Sequence, residues 1–200
     1  MILVTGSAGQ IGTELVTELR NRHGSENVLA GRHKTPLPEE IASSGPSAIV
    51  NVTEPEQLKS TLLTHGVTQI FHLSSILSVL AESDIQTAHQ VNINGVFSIL
   101  NTAFETNVEQ VIIPSSIAAF GVDTPRTLTP NDTIQRPSTV YGISKVFTEL
   151  IGNYFYSRFG LDVRGLRLPG VISWKTEPTA GTTDYAVAMF YGAIKDNKYE

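Results

Sequence analysis

Three glycines spaced three residues apart, Gly6, Gly9 and Gly12, occur almost at the start of the chain. The apolar run at 2–5 before them predicts a buried strand, and residues 10–23 after them carry apolar side chains at helical spacing. A strand enters a helix through so short a turn only where glycine permits a sharp bend and a close approach of helix to strand. The feature therefore predicts a strand–turn–helix unit at the beginning of a parallel sheet.

The rest of the chain alternates short β-rich runs with longer helical patterns. Strands are predicted at 28–30, 48–52, 69–73, 110–113 and 163–168, helices at 54–65 (capped by Thr53), 84–106, 139–159 and 183–195, and a loop at 34–47. This alternation favours an α/β fold, a Rossmann-type doubly wound parallel sheet with helices on both faces. In such a sheet ligands bind at the carboxyl ends of the strands, so functional residues are expected directly after them.

Composition excludes several classes of function. The formal net charge is −5, which provides no basic surface for nucleic acid or for an anionic membrane. Cysteine is absent, the five histidines show no metal-ligand spacing, and His72 is interpreted as a strand-end core residue, so no metal is expected. No apolar run reaches the roughly 18 residues of a membrane span, and the chain begins in a strand rather than a secretory signal. These features predict a soluble, cytoplasmic protein.

The glycine turn leads into the N-terminus of a helix, where unpaired N–H groups and the helix dipole favour an anion. Glycines at this place between strand and helix are typical of a site for the pyrophosphate of a nicotinamide dinucleotide. Contacts to the cofactor are expected from Gly6, Gly9, Gln10, Ile11 and Gly12, and from the strand ends at Leu73 and Leu168. The alternative is a glycine-rich turn that binds no ligand.

The end of the second predicted strand bears on which dinucleotide is bound. An acidic residue about 20 positions after the glycines would bind the ribose 2′-hydroxyl of NAD, but the run from Leu29 to Lys34 contains no carboxylate. Arg32, assisted by Lys34, is suited to a 2′-phosphate, which slightly favours NADP. The alternative is a solvated basic turn with Arg32 stacked on adenine.

Tyr141 and Lys145 lie four residues apart near the start of a predicted helix, so their side chains share a face. A tyrosine with a pKa of about 10 acts as a base at neutral pH only if a nearby cation favours the phenolate, and Lys145 supplies an ammonium that can also donate to the cofactor ribose. Ser116, just after the fifth strand, is expected to hold the substrate oxygen, and Asn92 to anchor a proton-relaying water. The pattern predicts hydride transfer from an alcohol; the alternative is an exposed helical face.

The seven residues Gly6, Gly9, Gly12, Asn92, Ser116, Tyr141 and Lys145 match the hallmarks of the extended short-chain dehydrogenase/reductase family, which the chain resembles from residue 1 to residue 200. Within that family it is most similar to the short-chain L-threonine dehydrogenases. The matching segments are 70–78, 114–121, 136–142, 167–173 and 181–187. The last segment discriminates most, because it is lacking in sugar-nucleotide epimerases of the same superfamily.

The resemblance implies oxidation of the β-hydroxyl of L-threonine to 2-amino-3-ketobutyrate, with an amino-acid substrate rather than a nucleotide sugar. Substrate contacts are expected from Ser78, Ser115, Ser116, Tyr141, Thr182 and Thr183, although one of the two threonines is expected to cap a helix instead. The family is about half as long again. The resemblance therefore implies a dinucleotide-binding domain at 1–168 and the start of an incomplete C-terminal substrate lobe at 169–200. It also implies a homodimer through helices 84–106 and 141–159.

The sequence leaves two expectations each for the cofactor and for the function. The resemblance implies NAD, but the family usually has an acidic residue where Arg32 stands, so NADP is the competing expectation. The competing functions are a nucleotide-sugar epimerase or dehydratase and a non-catalytic NAD(P)-binding protein. The presence of Ser116, Tyr141 and Lys145 together favours catalysis.

Overall fold

A computed structural model describes residues 1–173 and 183–198, and its central feature is a parallel sheet of six strands. The strands of the chain are β1 Ile2–Thr5, β2 Val28–Arg32, β3 Ser47–Ile49, β4 Gln69–His72, β5 Gln110–Ile112, β6 Ser115–Ser116, β7 Asp162–Arg164 and β8 Arg167–Leu168. The large sheet has the order β3-β2-β1-β4-β5-β7, while β6 and β8 form a separate parallel pair. The predicted doubly wound Rossmann-type sheet is thereby confirmed.

Helices follow the strands in alternation. They are α1 Gln10–His23, α2 Glu39–Ser43, α3 Pro55–Thr64, α4 Ser78–Ser83, α5 Ile85–His89, α6 Gly95–Glu105, α7 Val140–Phe159 and α8 Tyr185–Lys195. Short 3-10 turns occupy Ser25–Asn27 and Ile117–Ala119, and a π-helical turn, Gln90–Asn94, joins α5 to α6. In the part of the chain that the structure describes, none of the helices has the length and apolarity needed to cross a membrane.

The sheet is buried on both faces because neighbouring residues of its central strands point to opposite sides. Leu3 belongs to a core cluster formed with α3, α6 and α7, whereas the next residue, Val4, packs with α1 and α2 in a second cluster. Leu3 and Val4 are both fully buried. The strand order reverses between β1 and β4, whose following helices cover opposite faces, so a cleft opens where both strands end.

Several predicted element bounds were wrong. The expected helix at 84–106 is divided into α5, a π-helical turn and α6, and the short helices α2 and α4 were not predicted. Thr53 does not cap α3, because its hydroxyl donates to the Asn51 side chain and Glu54 occupies the cap position. The expected strand at 163–168 is interrupted at Gly165, where a Cβ would lie 2.4 Å from the Ile113 carbonyl oxygen. The chain therefore passes from the large sheet to the β6–β8 pair at a glycine.

Candidate active site

At the glycine turn the backbone approaches neighbouring segments more closely than a residue with a side chain would allow. Gly6 adopts a φ of +70°, and a Cβ there would lie 2.9 Å from the Ser74 backbone nitrogen. A Cβ on Gly12 would lie 2.2 Å from the Gly6 carbonyl oxygen. Helix α1 begins after Gly9 with no capping side chain and no acidic residue in its first turn. The turn therefore offers the backbone N–H groups of α1 to an anion.

The cleft beside this turn has two adjoining parts. One part, the inner chamber of about 620 Å³, is lined by the glycine turn and by Ser116, Tyr141 and Lys145. Its walls also include the predicted cofactor residues Gln10, Ile11, Leu73 and Leu168. The part called the outer groove, about 1080 Å³, contains Arg32 and Lys34 and shares Gly6, Gly9 and Leu73 with the chamber. The predicted cofactor residues thus line one continuous cleft.

The predicted catalytic side chains meet at the inner end of the chamber. Tyr141 and Ser116 both line the chamber, and hydrogen bonding from the Ser116 side chain acts to lower the pKa of the Tyr141 phenol. Ser116 Oγ also accepts from the Ala118 N–H at 3.1 Å. Lys145 Nζ lies 5.2 Å from the centroid of the Tyr141 ring and donates to the Pro114 carbonyl oxygen at 3.1 Å. The Thr139 hydroxyl caps α7 by accepting from the Gly142 N–H, so the first turn that carries Tyr141 is fixed. This arrangement brings a phenol, a hydroxyl and an ammonium together in one site.

Burial governs the protonation of this group. It lowers the pKa of the Lys145 ammonium to about 8 and raises the pKa of the Tyr141 phenol, a rise that the hydrogen bond from Ser116 opposes only in part. The sequence argument expected Lys145 to lower the pKa of Tyr141. In the structure the ammonium lies over the ring and donates to a carbonyl, so burial is the larger effect.

Asn92 lies in the π-helical turn and its side chain is buried. Its Oδ1 accepts from the Ile76 N–H at 2.8 Å and from the Ser75 hydroxyl at 3.2 Å, and its Nδ2 donates to the Ile76 carbonyl at 2.9 Å. These bonds fix the segment that follows β4 against the chamber. Anchoring of a relay water by Asn92 stays a prediction.

His72, at the end of β4, is a buried core residue, as the sequence indicated. Its Nδ1 is hydrogen-bonded to the Thr5 hydroxyl at 2.9 Å. Desolvation, reinforced by the charge of Lys145, lowers the pKa of His72 to about 3, so the ring is neutral. Within the described ranges, no group of three or more His, Asp or Glu side chains is arranged to hold a metal ion.

Three of the predicted substrate residues, Ser78, Ser115 and Thr183, line the chamber, while Thr182 lies outside the described residues. The Ser115 hydroxyl donates to Glu149. The Thr183 hydroxyl donates to the Val171 carbonyl oxygen at 3.2 Å, two residues before α8 begins. Both hydroxyls therefore hold neighbouring segments in place.

Sequence reasoning did not single out Asp184 as a site residue. It lines the chamber next to Thr183, and Asp184 and Lys145 are the only charged residues among the described residues of its wall. Asp184 belongs to the segment 181–187, which indicated the family resemblance. The negative charge within that segment was the signal that could have identified Asp184. A carboxylate there makes the chamber suitable for a cationic substrate group.

The outer groove has a different electrostatic character. Arg32, His33 and Lys34 follow one another along its rim, and Asp and Glu are absent from those of its lining residues that the structure describes. The Arg32 side chain donates to the neighbouring His33 carbonyl oxygen at 3.3 Å. The groove therefore presents cations at the end of β2.

Comparison with known proteins agrees with this geometry. The NAD dependent epimerase/dehydratase family matches residues 2–197. The chain belongs to this family. It is 42% identical over 199 residues to the mitochondrial L-threonine 3-dehydrogenase of Bos taurus, covering 100% of this chain but only 53% of that protein. The chain thus spans about half the length of this curated relative.

Two solved structures of this family carry the same fold and similar sequences. The L-threonine dehydrogenase of Clostridium difficile matches with a TM-score of 0.94 and 44% identity, covering 100% of this chain and 62% of that one. A monomeric L-threonine 3-dehydrogenase from a metagenome matches with a TM-score of 0.93 and 40% identity, and the match covers 100% of this chain and 63% of that one. The resemblance seen in the sequence is confirmed.

Proposed function

We propose that this member of the NAD-dependent epimerase/dehydratase family oxidises the β-hydroxyl of L-threonine to 2-amino-3-ketobutyrate with a nicotinamide dinucleotide. The observation that supports this most is that Ser116, Tyr141 and Lys145 line the same chamber as the glycine turn. The named similarity to L-threonine dehydrogenases supports the same substrate. The division of the chain at residue 168 into a dinucleotide-binding domain and the start of a substrate lobe is part of this proposal.

The residues of the chain fit a dinucleotide. The glycine turn and the first turn of α1 would hold the pyrophosphate, because the helix begins without a capping side chain or an acidic residue and so offers its first N–H groups to an anion. Lys145 would donate to the ribose beside the nicotinamide. When bound, the nicotinamide supplies the acceptor for the hydride that leaves the carbon bearing the hydroxyl.

The side chains of the protein would transfer one proton, that of the substrate hydroxyl. Ser116 and Tyr141 both hold the substrate oxygen, and Tyr141 takes the hydroxyl proton as the C–H bond breaks. Since burial raises the pKa of the Tyr141 phenol, Tyr141 would need additional positive charge nearby to act as a base at neutral pH. The charged form of Lys145, present below about pH 8, provides part of it.

Recognition of the amino acid is assigned to the end of the chamber formed by Ser78, Thr183 and Asp184. The Asp184 carboxylate would bind the substrate ammonium, and the Ser78 hydroxyl would donate to the carboxylate. Thr183 would donate as well once its hydroxyl leaves the Val171 carbonyl oxygen, to which it donates in the structure. Thr182 stays a predicted contact. Thr183→Ala should raise the KM for L-threonine; an unchanged KM would remove Thr183 from the recognition set.

The test is a steady-state assay of L-threonine oxidation with the 200-residue chain, with 3-hydroxybutyrate and UDP-glucose as comparison substrates. Turnover of L-threonine and not of 3-hydroxybutyrate is expected, because the latter lacks the ammonium that Asp184 would bind. Turnover of UDP-glucose instead would favour the epimerase or dehydratase alternative. Tight dinucleotide binding with no turnover of any of the three would favour the non-catalytic alternative.

For the cofactor we propose NADP over NAD, from the cations of the outer groove. Arg32 and Lys34 would bind a 2′-phosphate, and the described groove residues offer no carboxylate to the 2′-hydroxyl of NAD. Arg32→Ala should lower the ratio of kcat/KM for NADP to that for NAD by about tenfold, or 1.4 kcal/mol. Arg22→Ala, which removes an exposed arginine on α1, is the matched control. An at least tenfold preference of the unmodified chain for NAD would contradict this proposal.

The predicted homodimer is also a proposal. The exposed apolar side chains that support it are Phe97 and Phe104 on α6 and Leu150 and Tyr154 on α7. Since the metagenomic relative is described as monomeric, sedimentation velocity should decide the question. A dimer that dissociates with Leu150→Glu is expected; a monomer at all concentrations would contradict the proposal.

A further inference from the structure

The Glu149 side chain joins four parts of the molecule directly behind the proposed catalytic group. On α7, Glu149 follows Lys145 by four residues and Tyr141 by eight, so all three share one face. Glu149 Oε1 accepts from the Ser115 hydroxyl and from Arg167 Nε, and Oε2 accepts from Gln135 Nε2 at 2.9 Å and from Arg167 Nη2 at 2.7 Å. One carboxylate thus receives four hydrogen bonds.

The surroundings of the Glu149 carboxylate favour its ionised form. Burial by itself would raise the pKa of Glu149, but the hydrogen bonds from Arg167, Ser115 and Gln135 outweigh it and lower the pKa. Each oxygen already accepts from two donors, which leaves little capacity for a substrate. Glu149 is therefore suited to hold other groups in position.

The group that most needs such support is Ser116. It lies on β6, a strand of only two residues whose pairing with β8 places Ser115 opposite Arg167 and Ser116 opposite Leu168. So short a parallel pair provides little rigidity through its backbone alone. The Glu149–Arg167 ion pair ties both strands to α7, the helix that carries Tyr141.

Arg167 also holds the chain on the other side of Ser116. Its guanidinium lies 5.0 Å from the Phe120 ring, which follows the 3-10 turn beginning after Ser116, and its Nη1 donates to the Asn131 carbonyl at 2.8 Å. The residues before and after Ser116 are thus both fixed to the same ion pair.

We propose that Glu149 and Arg167 are positioning residues that hold the Ser116 hydroxyl against the Tyr141 phenol. The hydrogen bond between these two groups is the contact through which they act. The inference rests on the proposed function for its catalytic meaning, but the contact itself can be measured without turnover.

The molecule contains a matched control for this ion pair. On the neighbouring short strand β7, Arg164 also binds a carboxylate through two nitrogens, with Nε and Nη2 each 2.8 Å from Asp162. The Arg164 side chain is 69% exposed against 24% for Arg167. Arg164→Lys therefore alters the same kind of pair at an exposed position where the carboxylate is Asp162 and not Glu149.

The primary experiment measures the pKa of Tyr141 from the near-ultraviolet absorbance of the wild type minus that of Tyr141→Phe. Because the hydrogen bond from Ser116 lowers this pKa, Ser116→Ala should raise it. Arg167→Lys and Glu149→Gln should raise it in the same direction, and Arg164→Lys should leave it unchanged. Adding Arg167→Lys to Ser116→Ala should produce no further rise. A Tyr141 pKa that is unchanged in both folded ion-pair variants would overturn the proposal.

The second readout is turnover. We expect Arg167→Lys to lower kcat by about tenfold with the KM for L-threonine and the Kd of the dinucleotide nearly unchanged, since small misplacements at reacting atoms are costly. In the Ser116→Ala background the same substitution should have little effect. Fully additive losses would show that Arg167 does not act through Ser116. If the wild type does not oxidise L-threonine, the proposed function fails, and the phenol titration still decides the positioning role.

Discussion

The two parts of the cleft select their ligands by different means. In the inner chamber the acting groups are the half-buried side chains of Tyr141 and Ser116 and the buried side chain of Lys145, which donates to a backbone carbonyl. In the outer groove the acting groups are exposed cations beside a backbone turn, with Arg32 and Lys34 at the rim. Burial makes the chamber sensitive to protonation and to small displacements, whereas exposure makes the groove sensitive to salt.

The largest effect is expected from Tyr141→Phe, which removes the proton acceptor of the chamber and keeps the ring. The kcat for L-threonine should fall by about 10²–10⁴-fold, the usual contribution of a general base, while the dinucleotide still binds. Tyr156→Phe, an exposed tyrosine of the same helix, should retain full activity. Equal activity of the two variants would contradict the role of Tyr141.

A smaller effect, a loss of dinucleotide affinity, is expected from Gly12→Ala in the glycine turn, which adjoins both the inner chamber and the outer groove. The added methyl would lie 2.2 Å from the Gly6 carbonyl oxygen, so α1 must move away from the turn. Overpacking of this kind costs about 1–3 kcal/mol, and we expect the dinucleotide Kd to rise about tenfold or more. In Gly9→Ala the corresponding separation is 3.3 Å, and the loss should be milder. Calorimetric titration measures both, and the reverse ranking would show that packing of the turn is not what limits binding.

The chamber should respond to pH. Burial lowers the pKa of Lys145 to about 8, so the ammonium is present below that pH and is lost as the pH rises through it. Dinucleotide affinity should therefore fall by about threefold between pH 7 and pH 9. Lys145→Met should bind more weakly at pH 7 and show no such dependence. An affinity of the unmodified chain that stays constant over this range would show that the ammonium does not contact the cofactor.

Cofactor binding in the outer groove should depend on salt concentration. This is the smallest of the four effects predicted from the comparison of the two parts of the cleft. Raising the ionic strength from about 0.1 M to about 1 M shortens the Debye length from roughly 10 Å to 3 Å. The Kd for NADP should rise about twofold, and the Kd for NAD should change less because it lacks the 2′-phosphate. In Arg32→Ala the two cofactors should respond alike. If NAD and NADP respond alike in the unmodified chain, Arg32 does not bind a phosphate.

Much of the fold and part of the candidate site could be predicted from local patterns. The strand Ile2–Thr5 and the helix Gln10–His23 have the predicted bounds, because apolar period and glycine placement act over a few residues. The Tyr141–Lys145 spacing guaranteed a shared helical face wherever the helix lay. Ser116 could be expected at the strand ends because a parallel sheet aligns them at one edge.

Other features of the fold and of the candidate site depend on contacts between segments that are distant in the sequence. The side chain of Asn92 is hydrogen-bonded to residues 75 and 76, contacts that the local sequence pattern does not indicate, while its anchoring of a water stays a prediction. The helix at 84–106 contains no proline, and its interruption by the π-helical turn had no signal in the apolar pattern. The pKa of Tyr141 rises in the structure because burial, which sequence spacing does not report, outweighs the hydrogen bond from Ser116.

The sequence alone thus determined the glycine turn, the order of strands and helices, and the residue types available for chemistry. The tertiary structure decided which of those residues act on a ligand and which hold others in place. Ser115 illustrates the division, since its hydroxyl is bonded to Glu149, 34 residues away, and Glu149 in turn binds Arg167, 18 residues further on. Local spacing carries no information about such pairs, because they form only when the packing of α7 against β6 and β8 brings them within hydrogen-bonding distance.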